Sequence, residues 1–141
     1  MATSKRPTTA GRAPRKKNTE KHFRRLLLVE DDELVAAGLT SLLDFEGFEV
    51  LTIGRGLAVI EAIQRFRPDA VILDLTLPDI AGAEVFRRLR KRWPDLPVVF
   101  STGHGDDAAS AAELKGKRVE LLRKPYEIGD LLSALRRITS S

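Results

Sequence analysis

The sequence has no cysteine among its 141 residues. That excludes a disulfide framework, a thiolate metal site and a cysteine nucleophile. No apolar run approaches the length of a membrane span, and the N-terminus lacks the apolar core of a secretory signal. A cytoplasmic location with no membrane partner is therefore expected. No internal repeat is visible, and no second domain is expected within these residues. Gly54-Arg55-Gly56 is too short and misplaced for a dinucleotide fingerprint. What the chain does have is apolar side chain, 43% of residues, enough for one core of ordinary size.

Charge is unevenly placed. Residues 1–22 carry Lys5, Arg6, Arg12, Arg15, Lys16, Lys17 and Lys21 against Glu20, a net of +6 in a chain whose total is +4. The basic balance thus belongs to a tail, and the remainder is slightly acidic. With almost nothing apolar to bury, residues 1–22 are read as disordered and residues 23–141 as the domain. A DNA- or polyanion-binding regulator working through this tail is the alternative reading of the chain. The tail has no interleaved aromatics and no fold to present a base-reading element. A solvated extension is the default, and nucleic acid is not an expected partner.

Along the domain, short apolar runs alternate with amphipathic stretches. Leu26-Leu27-Leu28-Val29 reads as a buried strand. A helix follows, capped by Asp32 and closed near Gly47, with Leu34, Val35, Leu39, Leu42 and Leu43 as its apolar positions. Glu49 to Gly54 is a weaker strand. Gly56 to Phe66 is a helix with Leu57, Ile60, Ile63 and Phe66 on one face. Val71-Ile72-Leu73-Asp74-Leu75 is the third strand, and Val85, Phe86 and Leu89 mark the third helix. Pro97 to Ser101 is a fourth strand, and an Ala-rich fourth helix spans about Asp107 to Lys115. Val119 to Leu122 is a fifth strand, and the last helix runs from about Ile128 to Ile138. Five strand–helix pairs in strict alternation imply a parallel sheet with helices on both faces.

Asp74 is the residue that demands an explanation, because a carboxylate in an apolar strand is costly to desolvate without compensation. Parallel sheets place their sites outside the carboxyl ends of the strands. Glu30, Asp31, Asp74, Thr102 and Lys124 all fall at such ends in this reading. Three carboxylates would raise one another's pKa values. A divalent cation with the Lys124 ammonium balances them, and oxygen donors suit Mg²⁺. The chemistry expected is phosphoryl transfer, with Asp74 the nucleophile and Lys124 and Thr102 bonding phosphoryl oxygens.

At these residues the sequence resembles the receiver domain of two-component response regulators. The matching pieces are Leu28-Val29-Glu30-Asp31-Asp32, Val71 to Pro78, Ser101-Thr102-Gly103 and Lys124-Pro125. The resemblance covers about Arg25 to Ile138. It implies a flavodoxin-like, doubly wound five-stranded sheet of order 2-1-3-4-5. It implies Asp74 as phosphoacceptor and Glu30, Asp31, Asp74 and the Thr76 backbone carbonyl as Mg²⁺ ligands. Thr102 matches the family's hydroxyl, Lys124 its lysine, and Lys124–Pro125 a bond that is cis in such proteins. His104 occupies a position that tunes phosphate lifetime. Leu121 stands where receivers commonly carry Tyr or Phe, so the aromatic half of the usual switch is missing. The implied protein is a stand-alone, chemotaxis-regulator-like response regulator that catalyses only its own phosphorylation and dephosphorylation. Its donor would be a sensor histidine kinase or phosphotransfer protein, and its output a downstream protein target. The family's usual face for a partner or homodimer is the fourth helix, fifth strand and last helix.

Overall fold

The computed structural model describes residues 23–103, 114, 116 and 118–140. The basic tail, His104 and nearly all of the expected fourth helix lie outside them. In chain order the elements are β1 (Arg25–Val29), α1 (Glu33–Phe45), β2 (Glu49–Ile53) and a 3-10 turn (Gly56–Ala58). Then come α2 (Val59–Phe66), β3 (Ala70–Asp74), α3 (Gly82–Arg92), β4 (Val98–Thr102), β5 (Val119–Arg123) and α4 (Ile128–Thr139).

The strands form one sheet of order β2-β1-β3-β4-β5, with every neighbouring pair parallel. This is the expected 2-1-3-4-5 order. The central strands β1, β3 and β4 are almost wholly apolar because helices cover both of their faces. Leu27, Val29, Val71, Leu73, Val98 and Phe100 face α2 and α3, where Val59, Ile63, Val85, Phe86 and Leu89 close the core. Leu26, Leu28, Ile72 and Val99 face α1 and α4, against Ala36, Leu43, Leu131, Leu135 and Ile138. Phe86 meets Phe100 edge-on at 5.1 Å. Phe23 meets Phe48 the same way at 5.2 Å, tying the start of the domain to the segment just past α1.

Two helical faces differ from expectation. On α1 the core positions are Ala36 and Leu43, with Leu39 partly buried. Leu34 and Phe45 are 85% and 82% exposed, and Val35 and Leu42 are exposed as well. The helix carries apolar residues around most of its circumference, so only its rotation relative to the sheet decides which are buried. Asp32 sets the start by accepting the amides of Leu34 and Val35, and Gly47 follows the end with φ 100°. The second difference is Leu57, expected in the core but 61% exposed. The Asp79 carboxylate accepts the Gly56 and Leu57 amides at 2.8 and 2.9 Å. That bond from a neighbouring loop winds the first turn as a 3-10 helix and rotates Leu57 outward, leaving Val59, Ala62 and Ile63 as the buried positions of α2.

The sheet order reverses direction at β1, whose two neighbours are β2 and β3. A crevice outside the carboxyl ends of β1 and β3 follows from that reversal.

Candidate functional site

The residues expected at strand ends do converge on that crevice. Glu30 and Asp31 follow β1, Asp74 ends β3, Thr102 ends β4 and Lys124 follows β5. Register explains the assembly. Asp74 lies beside Ser101, and Thr102 lies beside Arg123. The Lys124 amide donates to the Thr102 carbonyl at 2.8 Å, so the lysine is rooted one step beyond the last rung. Its Nζ then reaches across the sheet edge to Glu30 Oε1 and Asp74 Oδ2, each at 3.1 Å. The Lys124–Pro125 bond is cis, as the resemblance implies.

The desolvation cost of the buried carboxylates is met group by group. Asp74 Oδ1 accepts the Thr76 amide at 3.0 Å while Oδ2 takes the ammonium. Glu30 Oε2 accepts the Asp32 amide at 3.2 Å. The Glu30 and Asp74 side chains are 4% and 6% exposed, so both charges sit nearly out of water. Burial pushes the Glu30 carboxyl above its ordinary value. The Asp74 charge adds to that, and the bonds from Asp32 and Lys124 oppose it without cancelling it. Burial alone would pull Lys124 down, but its bonds to Glu30 and Asp74 win, and its pKa rises. The ammonium therefore stays charged.

Asp31 is exposed and completes an acidic cluster. One carboxylate oxygen each from Glu30, Asp31 and Asp74 lies within 4.8 Å of the others. One ammonium against three carboxylates leaves a charge that a single divalent cation balances. The donors are all oxygen, two of the three held on buried side chains, and the third opens to solvent. That set fits Mg²⁺, which keeps several waters and binds through few carboxylates. Thr102 is buried at the end of β4 beside this cluster. Leu121 is not in it. It lies on the edge strand opposite Phe100 and is 44% exposed.

The response regulator receiver domain family matches residues 26–136. The chain belongs to that family. It is a phosphoacceptor signalling module of two-component systems rather than a free-standing enzyme, and its acidic cluster is consistent with the receiver magnesium site. The response regulator MprA of Mycobacterium leprae is 35% identical over 112 residues, covering 79% of this chain and 49% of that protein. The chain thus spans about half the length of the curated relatives it matches. The BeF₃-activated receiver domain of Klebsiella pneumoniae RstA is 29% identical, with a TM-score of 0.75 over 84% of this chain and all of that one. A receiver domain of a Pseudomonas aeruginosa sensor histidine kinase, solved with magnesium in its active-site cleft, shares the fold at 24% identity. Its TM-score is 0.75 over 84% of this receiver and 98% of that one.

Three residues of the site carry no signal strong enough to be singled out from sequence. Gly82 opens α3 directly against the backbone of Asp74. A Cβ there would lie 2.3 Å from the Asp74 carbonyl oxygen and 2.7 Å from Leu75 Cα, so only glycine fits. Its amide donates to the Leu75 carbonyl at 2.9 Å. Asp79 ties the loop after β3 to the turn before α2, and the amides of Leu57 and Gly56 hold its carboxyl below the ordinary range. Tyr126, two residues past Lys124, is partly buried. Burial raises its phenol pKa, and the hydroxyl lies near enough to Lys124, Glu30, Asp74 and Ser101 to feel all four. A glycine at a helix start and a Tyr after Lys-Pro are the only traces these leave in the sequence.

Proposed function

We propose that Asp74 accepts a phosphoryl group from the phosphohistidine of a sensor kinase or phosphotransfer protein, and that output passes through protein–protein contact on the receiver's own surface. The observation that carries this reading is the single ammonium of Lys124 bridging Glu30 and Asp74 beside an exposed Asp31. An Asp74 oxygen attacks phosphorus. The O–P bond forms as the N–P bond breaks, and the leaving imidazole keeps the electron pair and takes a proton from water. Asp74 is aimed by the Thr76 amide on one oxygen and by Lys124 on the other. Lys124 moves from the carboxylate to a phosphoryl oxygen as charge transfers, and the Thr102 hydroxyl binds another. Glu30, Asp31, Asp74 and the Thr76 carbonyl are the groups assigned to hold Mg²⁺, which when bound supplies positive charge against the phosphoryl oxygens.

Beryllofluoride with Mg²⁺, a stand-in for the phosphoryl group, tests the assignment by chemical-shift mapping. Shifts centred on Glu30, Asp74, Thr102 and Lys124 are expected in the wild type, and none in Asp74→Asn. An equal response in both proteins would remove Asp74 from the role.

A further inference from the structure

The acidic cluster is divided between two segments of chain. Glu30 and Asp31 lie just past β1, whereas Asp74 ends β3 and Thr76 lies in the loop that follows it. β1 and β3 are neighbours, and their last paired rung is Val29 with Leu73. Past that rung the ladder no longer fixes how far the two segments stand apart. Lys124 spans the gap between Glu30 and Asp74, but it does so with one long side chain. In the reaction proposed above that side chain leaves Asp74 for a phosphoryl oxygen. A second brace joins the same two segments through the backbone, and its centre is Asp79.

The loop after β3 is closed at its base and braced at its tip. At the base, the Leu75 amide donates to the Ser101 carbonyl at 3.0 Å, and the Leu75 carbonyl accepts the Gly82 amide at 2.9 Å. Thr76 follows, and its amide donates to Asp74 Oδ1, so the position of its backbone is felt directly at the acceptor carboxylate. At the tip, Asp79 Oδ1 accepts the Gly56 amide at 2.8 Å and Oδ2 accepts the Leu57 amide at 2.9 Å. Two bonds from one carboxylate to consecutive amides fix orientation as well as distance, and bonds to a charged acceptor are the stronger kind. Apolar packing presses the same two segments together. A Cβ on Gly56 would lie 2.5 Å from Ile80 Cγ2, 2.8 Å from Val85 Cγ2 and 3.3 Å from Leu77 Cδ1.

The turn that Asp79 grips leads back to the other half of the cluster. It leaves β2 at Ile53, whose carbonyl accepts the Glu30 amide at 3.0 Å. A Cβ on Gly54 would meet Asp31 Cα and the Glu30 carbonyl oxygen at 3.7 Å, so this turn runs in contact with the Glu30–Asp31 backbone. We propose that Asp79 is a positioning residue for the phosphoryl-transfer site. Its grip on the Gly56 and Leu57 amides sets where Asp74 and the Thr76 carbonyl stand relative to Glu30 and Asp31. Asp79 itself touches neither the ion nor the phosphoryl group. The proposal rests on the assignment of those groups to Mg²⁺ in the function proposed above. Without the grip, the loop keeps its base but loses its brace. The Thr76 carbonyl then strays from the narrow geometry that a small octahedral ion accepts, and affinity falls while the fold persists.

Mg²⁺ titration of the full-length chain, read from the amide shifts of Asp31, Asp74 and Thr76, tests this. Asp79→Ala should weaken apparent Mg²⁺ binding about three- to tenfold, less than the roughly 10–100-fold typical of losing a direct hydrogen bond to a ligand. Asp79→Asn keeps one acceptor oxygen and should fall between that variant and the wild type. If Asp79→Ala does not fold, Asp79→Asn carries the comparison. Without metal, hydrogen exchange at the Thr76 amide should quicken several-fold in both variants, as the loop opens more often. Ile138→Val separates positioning from stability. It trims the buried C-terminal end of α4, so it should lower the urea midpoint and leave Mg²⁺ affinity at the wild-type value. Wild-type Mg²⁺ affinity in the folded Asp79 variants, or an equal loss in Ile138→Val, would overturn the proposal and leave the role of Asp74 standing. A wild type with no Mg²⁺-dependent shift would instead remove the metal assignment, and this proposal with it.

Discussion

Asp74 is tolerable in an apolar strand because each of its oxygens has a donor, the Thr76 amide on one and the Lys124 ammonium on the other. The same economy governs Gly82, where α3 starts against the backbone of Asp74 and Leu75. Gly82→Ala places a methyl where backbone atoms already sit. It should destabilise the domain by more than about 2 kcal/mol, measured by urea denaturation, because neither β3 nor α3 can retreat without moving the site. Asp79 gives a pH signature. Its folded pKa lies below the ordinary 3.8, so its contribution is full above that value and is lost as pH falls through the folded value. The stability gap between wild type and Asp79→Asn, followed as urea midpoints, should hold at neutral pH and close in acid. A gap that widened in acid would contradict the Asp79 tether. Glu30, Asp31, Asp74, Thr102 and Lys124 were legible from sequence because each sits at a strand end, and strand ends are readable. The Asp79–Gly56 bond was not, since a contact between two loops 23 residues apart leaves no local pattern.

At the scale of elements, the five strands of a parallel sheet were legible because apolar runs alternate with helical periodicity, whereas their 2-1-3-4-5 order was implied only by the resemblance to receiver domains. Which face of α1 meets the sheet was not legible. Leucines surround that helix, and small Ala36 takes a core position that Leu34 and Leu42 were expected to fill. α2 misled for a different reason, since a cap supplied by Asp79 from another loop rewound its first turn. α3 has a weakness visible only in the structure. Its N-cap is Ala81, in extended conformation and with no side-chain hydrogen bond to the first turn. Ala81→Ser should stabilise the domain by about 1 kcal/mol, seen as a higher urea midpoint with unchanged slope. An unchanged midpoint would mean that the tight start at Gly82 already satisfies those amides.

For the whole molecule, the sheet gathers three carboxylates and one ammonium at its carboxyl edge. Leu121, exposed on the edge strand, contributes no ring to any switch. Tyr126, two residues past Lys124, is a partly buried aromatic group whose phenol feels the charges of Lys124, Glu30 and Asp74. The central claim is that Asp74 takes the phosphoryl group. Intact mass after incubation with acetyl phosphate tests it most directly. The wild type should gain one phosphoryl group only when Mg²⁺ is present, and Asp74→Asn should gain none. A gain of the same size in Asp74→Asn, or no gain in the wild type with Mg²⁺, would contradict the claim.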